Sequence, residues 1–238
     1  MDLQNKVVLI TGASSGIGKA IAQDLDKAGM RLVLTARSQD KLNELASSLQ
    51  QAKVIAGAIT DPDVPQKLLD TTLETFGQLD VVINNAGVMT VGAIEDVDIE
   101  AICEMVRLNV ESVYRMAYTV LRHFKTIGSG FLINTSSIAG LKTASQYGAY
   151  NGTKYAIEAF TDALRMELAG TGVKVSALAP GTVATGLYDR WSQEDKTYVT
   201  SGGALQPENI ARCVRFILEQ PDGVLIPRML VVPTNQPV

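Results

Sequence analysis

The sequence predicts a single-domain α/β fold, a doubly wound parallel sheet of about seven strands flanked by helices. Three observations predict it. Short apolar, β-branched runs alternate regularly with longer segments whose apolar residues recur at three- and four-residue steps. The short runs are near-continuously apolar rather than alternating, the texture of strands buried on both faces of a parallel sheet. No repeat, low-complexity tract or linker divides the 238 residues, and 46% hydrophobic with 19% charged residues suits a chain that buries one core. Regular β-α alternation then implies right-handed crossovers.

Residues 7–11 are the first expected strand and 17–29 the first helix. Between them stands Thr11-Gly12-Ala13-Ser14-Ser15-Gly16-Ile17-Gly18. Glycines at a strand-to-helix turn let backbone N–H groups approach a pyrophosphate, which gains from the positive end of the helix. The spacing is GxxxGxG, and its place in the first βα unit favours a dinucleotide over a merely tight connection. The second strand, 32–35, decides between NAD and NADP. An acid at its end would hold the ribose 2′-hydroxyl of NAD. Here Thr35-Ala36-Arg37-Ser38 offers none before Asp40, and the Arg37 guanidinium suits a 2′-phosphate. The plainer reading of Arg37 is a solvated arginine at the start of the helix expected over 39–50.

Residues 54–58 are the third strand, 64–76 a helix, and 79–84 the fourth strand, which runs into Asn84-Asn85-Ala86-Gly87. One long helix is expected over 99–126 and contains Leu108-Asn109-Val110. The fifth strand, 131–136, ends at Ser136-Ser137, where a hydroxyl reaches the cleft at the sheet's carboxyl edge. The helix over 147–169 carries Tyr150-Asn151-Gly152-Thr153-Lys154. Residues four apart share a helix face, so the phenol and the ammonium lie together. A cation within about 4–6 Å favours the phenolate and lets a phenol exchange a proton near neutrality. Alone, such a pair is commonly two surface residues; its weight comes from Ser137. A sixth strand, 173–179, leads into Pro180-Gly181-Thr182-Val183-Ala184-Thr185. The irregular stretch 186–206 reads as a substrate lid, and a helix over 207–219 and a strand over 229–232 complete the fold.

Composition narrows the function. A net charge of −4 gives no global basic field for nucleic acid or anionic lipid. The early run Val7-Val8-Leu9-Ile10 is far short of the roughly 20 residues that span a bilayer. No cationic segment precedes a long apolar stretch, so no secretory leader is expected. Cys103 and Cys213 form no CxxC and fit a reducing compartment. His123 is the sole histidine, which argues against histidine-based metal sites and serine triads, and it reads as a helix surface residue. The expectation is a soluble cytoplasmic protein without a protein-ligated transition metal.

Thr11–Gly18, Asn84-Asn85-Ala86-Gly87, Asn109, Ser136-Ser137, Tyr150–Lys154 and Pro180–Thr185 stand in this order along the chain. In them the sequence resembles the short-chain dehydrogenase/reductase family, from about Lys6 to Gly186. The resemblance implies a Rossmann-type fold and a role for each position. Tyr150 would exchange a proton with the substrate oxygen. Lys154 would lower the phenol's pKa and hold the nicotinamide ribose. Ser137 would hydrogen-bond the substrate oxygen, and Asn109 would position a water joining Lys154 to solvent. Gly12, Ser14, Ser15, Gly16, Ile17 and Gly18 would cradle the phosphates. Asn85, Ala86 and Gly87 would lie along the adenosine. Thr185 and the backbone of Val183 would orient the carboxamide, and Pro180 and Gly181 would line the cofactor. Tyr147 reads as pocket wall, Ser136 as a strand-end residue, and Asn84 as a tie between strands; Pro180-Gly181 can also be read as turn punctuation.

The sequence departs from the family at one point. Where many relatives carry Asp followed by Val or Leu at the third strand's end, this chain has Ala58-Ile59. A side-chain contact to adenine is therefore in doubt, which leaves the backbone of Ile59. The leading expectation is an NADP(H)-dependent carbonyl reductase or alcohol dehydrogenase. The ending Pro233-Thr234-Asn235-Gln236 is similar to the 3-hydroxy acid (serine-type) dehydrogenase subgroup. A 3-oxoacyl-carrier reductase is a further alternative, and a non-catalytic dinucleotide sensor is the rival from another class. The family also implies a homotetramer. Expected pocket walls are 88–90, 140–147 and 186–191, mostly apolar or neutral, with Lys142 and Arg190 as the cations within reach of a carboxylate.

Overall fold

β1 (Val7–Thr11) has every residue buried and lies near the middle of the sheet. The structure is a computed structural model and describes residues 1–188 and 203–236. β1 pairs with β2 (Arg31–Thr35) on one side and β4 (Val81–Asn84) on the other, so that Ile10 stands opposite Leu34 and Ile83. With β3 (Ala52–Val54), β5 (Gly130–Thr135), β6 (Val173–Pro180) and β7 (Arg228–Val231), the sheet has seven strands in the order β3-β2-β1-β4-β5-β6-β7, every pair parallel. The expected α/β architecture is the one found.

Alternate residues of each strand serve opposite layers. Val8 and Ile10 face a cluster built with α1 (Gly16–Lys27), α2 (Gln39–Ala46) and α7 (Pro207–Leu218). Val7 and Leu9 face a cluster built with α3 (Val64–Phe76), α5 (Ser112–Ile127) and α6 (Gly148–Glu167). That two-sided burial is why the strands read as continuous apolar runs. Polar ties cross the second layer. Asn84 Nδ2 donates to Asn134 Oδ1 at 3.0 Å, and Asn134 Nδ2 donates to Thr161 Oγ1 at 2.9 Å, joining β4, β5 and α6. Arg228 Nε lies 2.7 Å from Glu158 Oε2 and ties β7 to α6.

Two elements differ from expectation. β3 covers Ala52–Val54 rather than 54–58. Beyond it, Ile55 N and Gly57 N still donate to Leu34 O and Ala36 O, each at 3.0 Å. Val54 closes the ladder, and Ile55 and Ala56 pack against the core beyond it, which gives that stretch its strand-like apolar texture. The helix expected over 99–126 is α4 (Ile99–Val106) followed by a π turn at Arg107–Glu111 and then α5. Among the described residues no helix is long and apolar enough to cross a membrane. The expected lid falls mainly on 189–202, outside the described residues; Gly186–Tyr188 forms a 3-10 turn, and Leu205 bridges to Val183.

Candidate active site

Parallel strands deliver their carboxyl ends, and the loops after them, to one edge of the sheet. The order reverses between β1 and β4, so the loops leaving these strands part there and open a crevice. Thr11 joins the two sides: its Oγ1 accepts from Asn85 N and Ala86 N, each at 3.0 Å. Asn85 Nδ2 donates in return to Thr11 O at 3.1 Å. Gly12 and Gly16 take φ values of 67° and 52°, the left-handed region that favours glycine. A Cβ on Gly12 would stand 2.9 Å from the Cα of Ala86, so the loop is drawn tight against the opposite wall.

The loop opens onto a helix end ready for an anion. Ser15 is the N-cap of α1 and makes no side-chain cap, and no acidic residue occupies the first turn. The first N–H groups of α1 therefore lack both a side-chain acceptor and a carboxylate neighbour. Ser14 is half-buried, Ser15 is exposed, Ile17 packs against the core, and Gly18 is buried in the first turn. Arg37 stands exposed just beyond β2. Ile59 has its side chain in the core, which leaves only its main chain for a ligand. These features fit a dinucleotide whose pyrophosphate sits at α1 and whose adenosine lies toward β2.

The other half of the crevice holds the titratable groups. Tyr150 and Lys154 lie one turn apart on α6, 6% and 7% exposed. Lys154 Nζ lies 5.9 Å from the Tyr150 ring centroid and donates to Thr135 O, at the end of β5, at 3.0 Å. Burial pushes the Lys154 ammonium down to about 8, while the Glu158 carboxylate acts in the opposite direction. Ser137 lies just past β5; its Oγ accepts from Ala139 N at 3.1 Å and donates to Pro180 O at 3.4 Å. Tyr150 packs with Met105 and Ala139, and Val88, Met89 and Tyr147 of the expected walls lie partly buried against this cluster.

The π turn carries Asn109, 1% exposed. Its Oδ1 accepts from Val88 N at 2.9 Å, and its Nδ2 donates to Val88 O at 2.8 Å and Thr153 Oγ1 at 3.3 Å. π turns recur at functional sites because they re-aim a side chain without ending the helix. Here Asn109 is bound to the main chain beside Gly87 and near α6. A Cβ on Gly87 would stand 3.2 Å from Asn109 Oδ1 and 3.9 Å from Lys154 Nζ, which places Gly87 beside the ammonium. On the remaining wall Pro180 ends β6, and Gly181, Val183 and Thr185 follow it; a Cβ on Gly16 would stand 3.1 Å from Thr185 Cγ2. The glycine loop and Thr185 thus lie against each other at this end of the crevice.

Sequence reasoning missed two residues. Asn151 Nδ2 donates to Ala139 O at 2.7 Å and Lys142 O at 2.9 Å, shaping the loop that follows Ser137. Thr153 receives Asn109 and donates to Tyr150 O at 2.8 Å. A polar residue between Tyr150 and Lys154 on a buried helix is the signal that could have found them. Lys142 is exposed, and Arg190 and Trp191 lie outside the described residues.

Comparison with known proteins shows the family and the fold. Residues 6–196 match the family model described as short chain dehydrogenase. An uncharacterized oxidoreductase of Staphylococcus aureus (strain N315) is 35% identical over 233 residues, 97% of this chain and 98% of the relative. Among solved structures, an alcohol dehydrogenase from the archaeon Thermococcus sibiricus, complexed with 5-hydroxy-NADP, superposes with a TM-score of 0.88 at 29% identity. That match covers 99% of each chain. The closed form of a serine dehydrogenase complexed with NADP+ superposes with a TM-score of 0.91 at 25% identity, covering 98% of this chain and 96% of that one.

Proposed function

The chain belongs to the short-chain dehydrogenase family, and on that premise we propose that it is an NADP(H)-dependent oxidoreductase interconverting a ketone or aldehyde with its alcohol. The observation that carries this is the buried Tyr150–Lys154 pair, the ammonium fastened to Thr135 O beside the phenol. The nucleotide, when bound, supplies or accepts the hydride. The chain's own residues do the rest. Tyr150 gives its phenolic proton to the carbonyl oxygen during reduction, or takes the hydroxyl proton during oxidation. Lys154 favours the phenolate by its charge and holds the nicotinamide ribose. Ser137 offers its hydroxyl to the substrate oxygen, where charge develops. Asn109 keeps the main chain at Val88 in register with α6 and orders a water beside Lys154.

Gly12, Ser14, Ser15, Gly16, Ile17 and Gly18 hold the phosphates, Arg37 the 2′-phosphate, and Ile59, Asn85, Ala86 and Gly87 line the nucleotide. Thr185 and the backbone of Val183 orient the carboxamide, and Pro180 and Gly181 line the cofactor. The apolar surroundings of Tyr150 favour a carbonyl with an uncharged body. A second reading, a 3-hydroxy acid dehydrogenase, is supported by the Pro-Thr tail and the likeness to a serine dehydrogenase. A desolvated carboxylate needs a cation, and Lys142 and Arg190 are the candidates.

We further propose a cytoplasmic homotetramer. Tyr118 on α5 and Tyr155 and Met166 on α6 leave 49%, 41% and 64% of their surface exposed, an apolar strip suited to a second copy of the chain.

The experiment is NADPH consumption against ketones, aldehydes, 3-oxo acids and thioesters, with Tyr150→Phe alongside. The variant is expected to lose at least about 10²-fold in kcat while still binding NADPH. Near-normal turnover by it would pass the proton role to another group, with Tyr147 the candidate. A strong carboxylate preference that disappears in Lys142→Ala or Arg190→Ala would establish the hydroxy-acid reading.

A further inference from the structure

The tail residues have no part in the chemistry above, yet they return to the crevice. Gln236 N donates to Pro233 O at 3.0 Å, a turn that brings its side chain to the end of β6. There Thr182 N donates to Gln236 Oε1 at 2.9 Å, and the adjacent Gly181 N donates to Val231 O at 2.7 Å. The missing side chain at Gly181 makes room for the amide: a Cβ there would collide with Gln236 Oε1 and touch Val232 Cγ1 at 3.0 Å. From the other side Leu205 N donates to Thr182 O at 2.9 Å, and Ala184 N donates to Leu205 O at 2.8 Å. The segment is therefore held between the tail and Leu205, and its far end, Thr185, lies against Gly16 of the glycine loop.

We infer that Gln236 is a positioning residue for the dinucleotide, its amide seating segment 181–185 at the nicotinamide end so that tail and nucleotide stabilise one another. This rests on the reading that the crevice binds NADP(H). Coupling of this kind is reciprocal: a seated tail that tightens nucleotide binding is itself tightened by the nucleotide to the same degree. Contact with Thr182 needs only an acceptor, so a carboxylate in place of the amide keeps it.

The test compares the parent with Gln236→Ala and Gln236→Glu. It measures dissociation constants for NADPH and for 2′,5′-ADP, which reaches only the adenosine half. It also measures the rate at which carboxypeptidase Y removes the last residues with and without each nucleotide. Gln236→Ala is expected to weaken NADPH about tenfold and leave 2′,5′-ADP within about twofold, while Gln236→Glu stays within about threefold of the parent for both. NADPH, and not 2′,5′-ADP, is expected to slow digestion of the parent tail about tenfold. Equal weakening of both ligands in Gln236→Ala would show a tail that serves stability alone. That result, parent-like NADPH binding by Gln236→Ala, or digestion indifferent to NADPH overturns the inference while leaving the dinucleotide reading intact. If Gln236→Ala does not fold, Gln236→Glu and the digestion rates decide. A parent that binds neither ligand overturns the dinucleotide reading itself.

Discussion

Lys154 is charged against the preference of its surroundings. Its folded value, about 8, lies below the roughly 10.4 of an unfolded lysine. Between these values the unfolded chain binds more protons than the folded one, so this group adds stability as pH rises through that window and costs stability below it. The parent is therefore expected to gain on the order of 2 kcal/mol relative to Lys154→Met between pH 7.5 and pH 10. Denaturant unfolding of both proteins at the two pH values checks this, and a pH-independent difference would contradict it. Arg37 belongs to the same scale. It is exposed, with no acid at Thr35 or Ala36 to repel a 2′-phosphate, so NADPH is expected to exceed NADH by at least about tenfold in kcat/KM. Ala36→Asp with Arg37→Leu should move the preference toward NADH, and equal use of both nucleotides by the parent would refute the role. These single residues are legible in the sequence because each motif is local: Tyr150 and Lys154 share a helix turn, and Arg37 follows its strand directly. Asn151 is not legible in the same way, since its partners at Ala139 and Lys142 meet it only when the loop folds back.

At the scale of elements, strands and helices follow from apolar period, but interruptions of that period do not. The π turn at Arg107–Glu111 leaves the apolar spacing of the surrounding helix nearly unchanged, so one continuous helix is the natural reading. Its sign is a buried asparagine in an amphipathic run. The reach of the tail is hidden for another reason: Gln236 and Thr182 are distant in sequence, and an exposed-looking polar ending carries no periodicity. Close packing between elements yields a prediction of its own. A Cβ on Gly140 would stand 2.8 Å from both Lys154 O and Ser136 Oγ, where the turn after β5 meets α6. Gly140→Ala is expected to push these elements apart, lowering Tm by roughly 4–8 °C and kcat about tenfold or more. Thermal melts and turnover with a common carbonyl check it; an unchanged Tm would mean that the turn relaxes without moving α6.

For the whole molecule, the proposed assembly rests on the exposed apolar residues of α5 and α6. Tyr114 stacks on Phe160 with ring centroids 4.0 Å apart, and Tyr118 approaches the same ring at 5.6 Å, so the strip is ordered within the chain. Sedimentation velocity is expected to show a four-chain species for the parent and a smaller one for Tyr118→Glu with Met166→Glu; a monomeric parent would refute the assembly.

The Asn84–Asn134–Thr161 chain bears on how such a molecule reaches its native state at all. β4 and β5 are apolar on both faces, so sliding one past the other by two residues alters little of their hydrophobic burial. A slipped pair would bury the two carboxamides without partners, at about 1–3 kcal/mol each. The carboxamides therefore single out one register: only the native alignment of β4 and β5 pairs both amides, and it is that alignment which brings the strand ends together at the crevice.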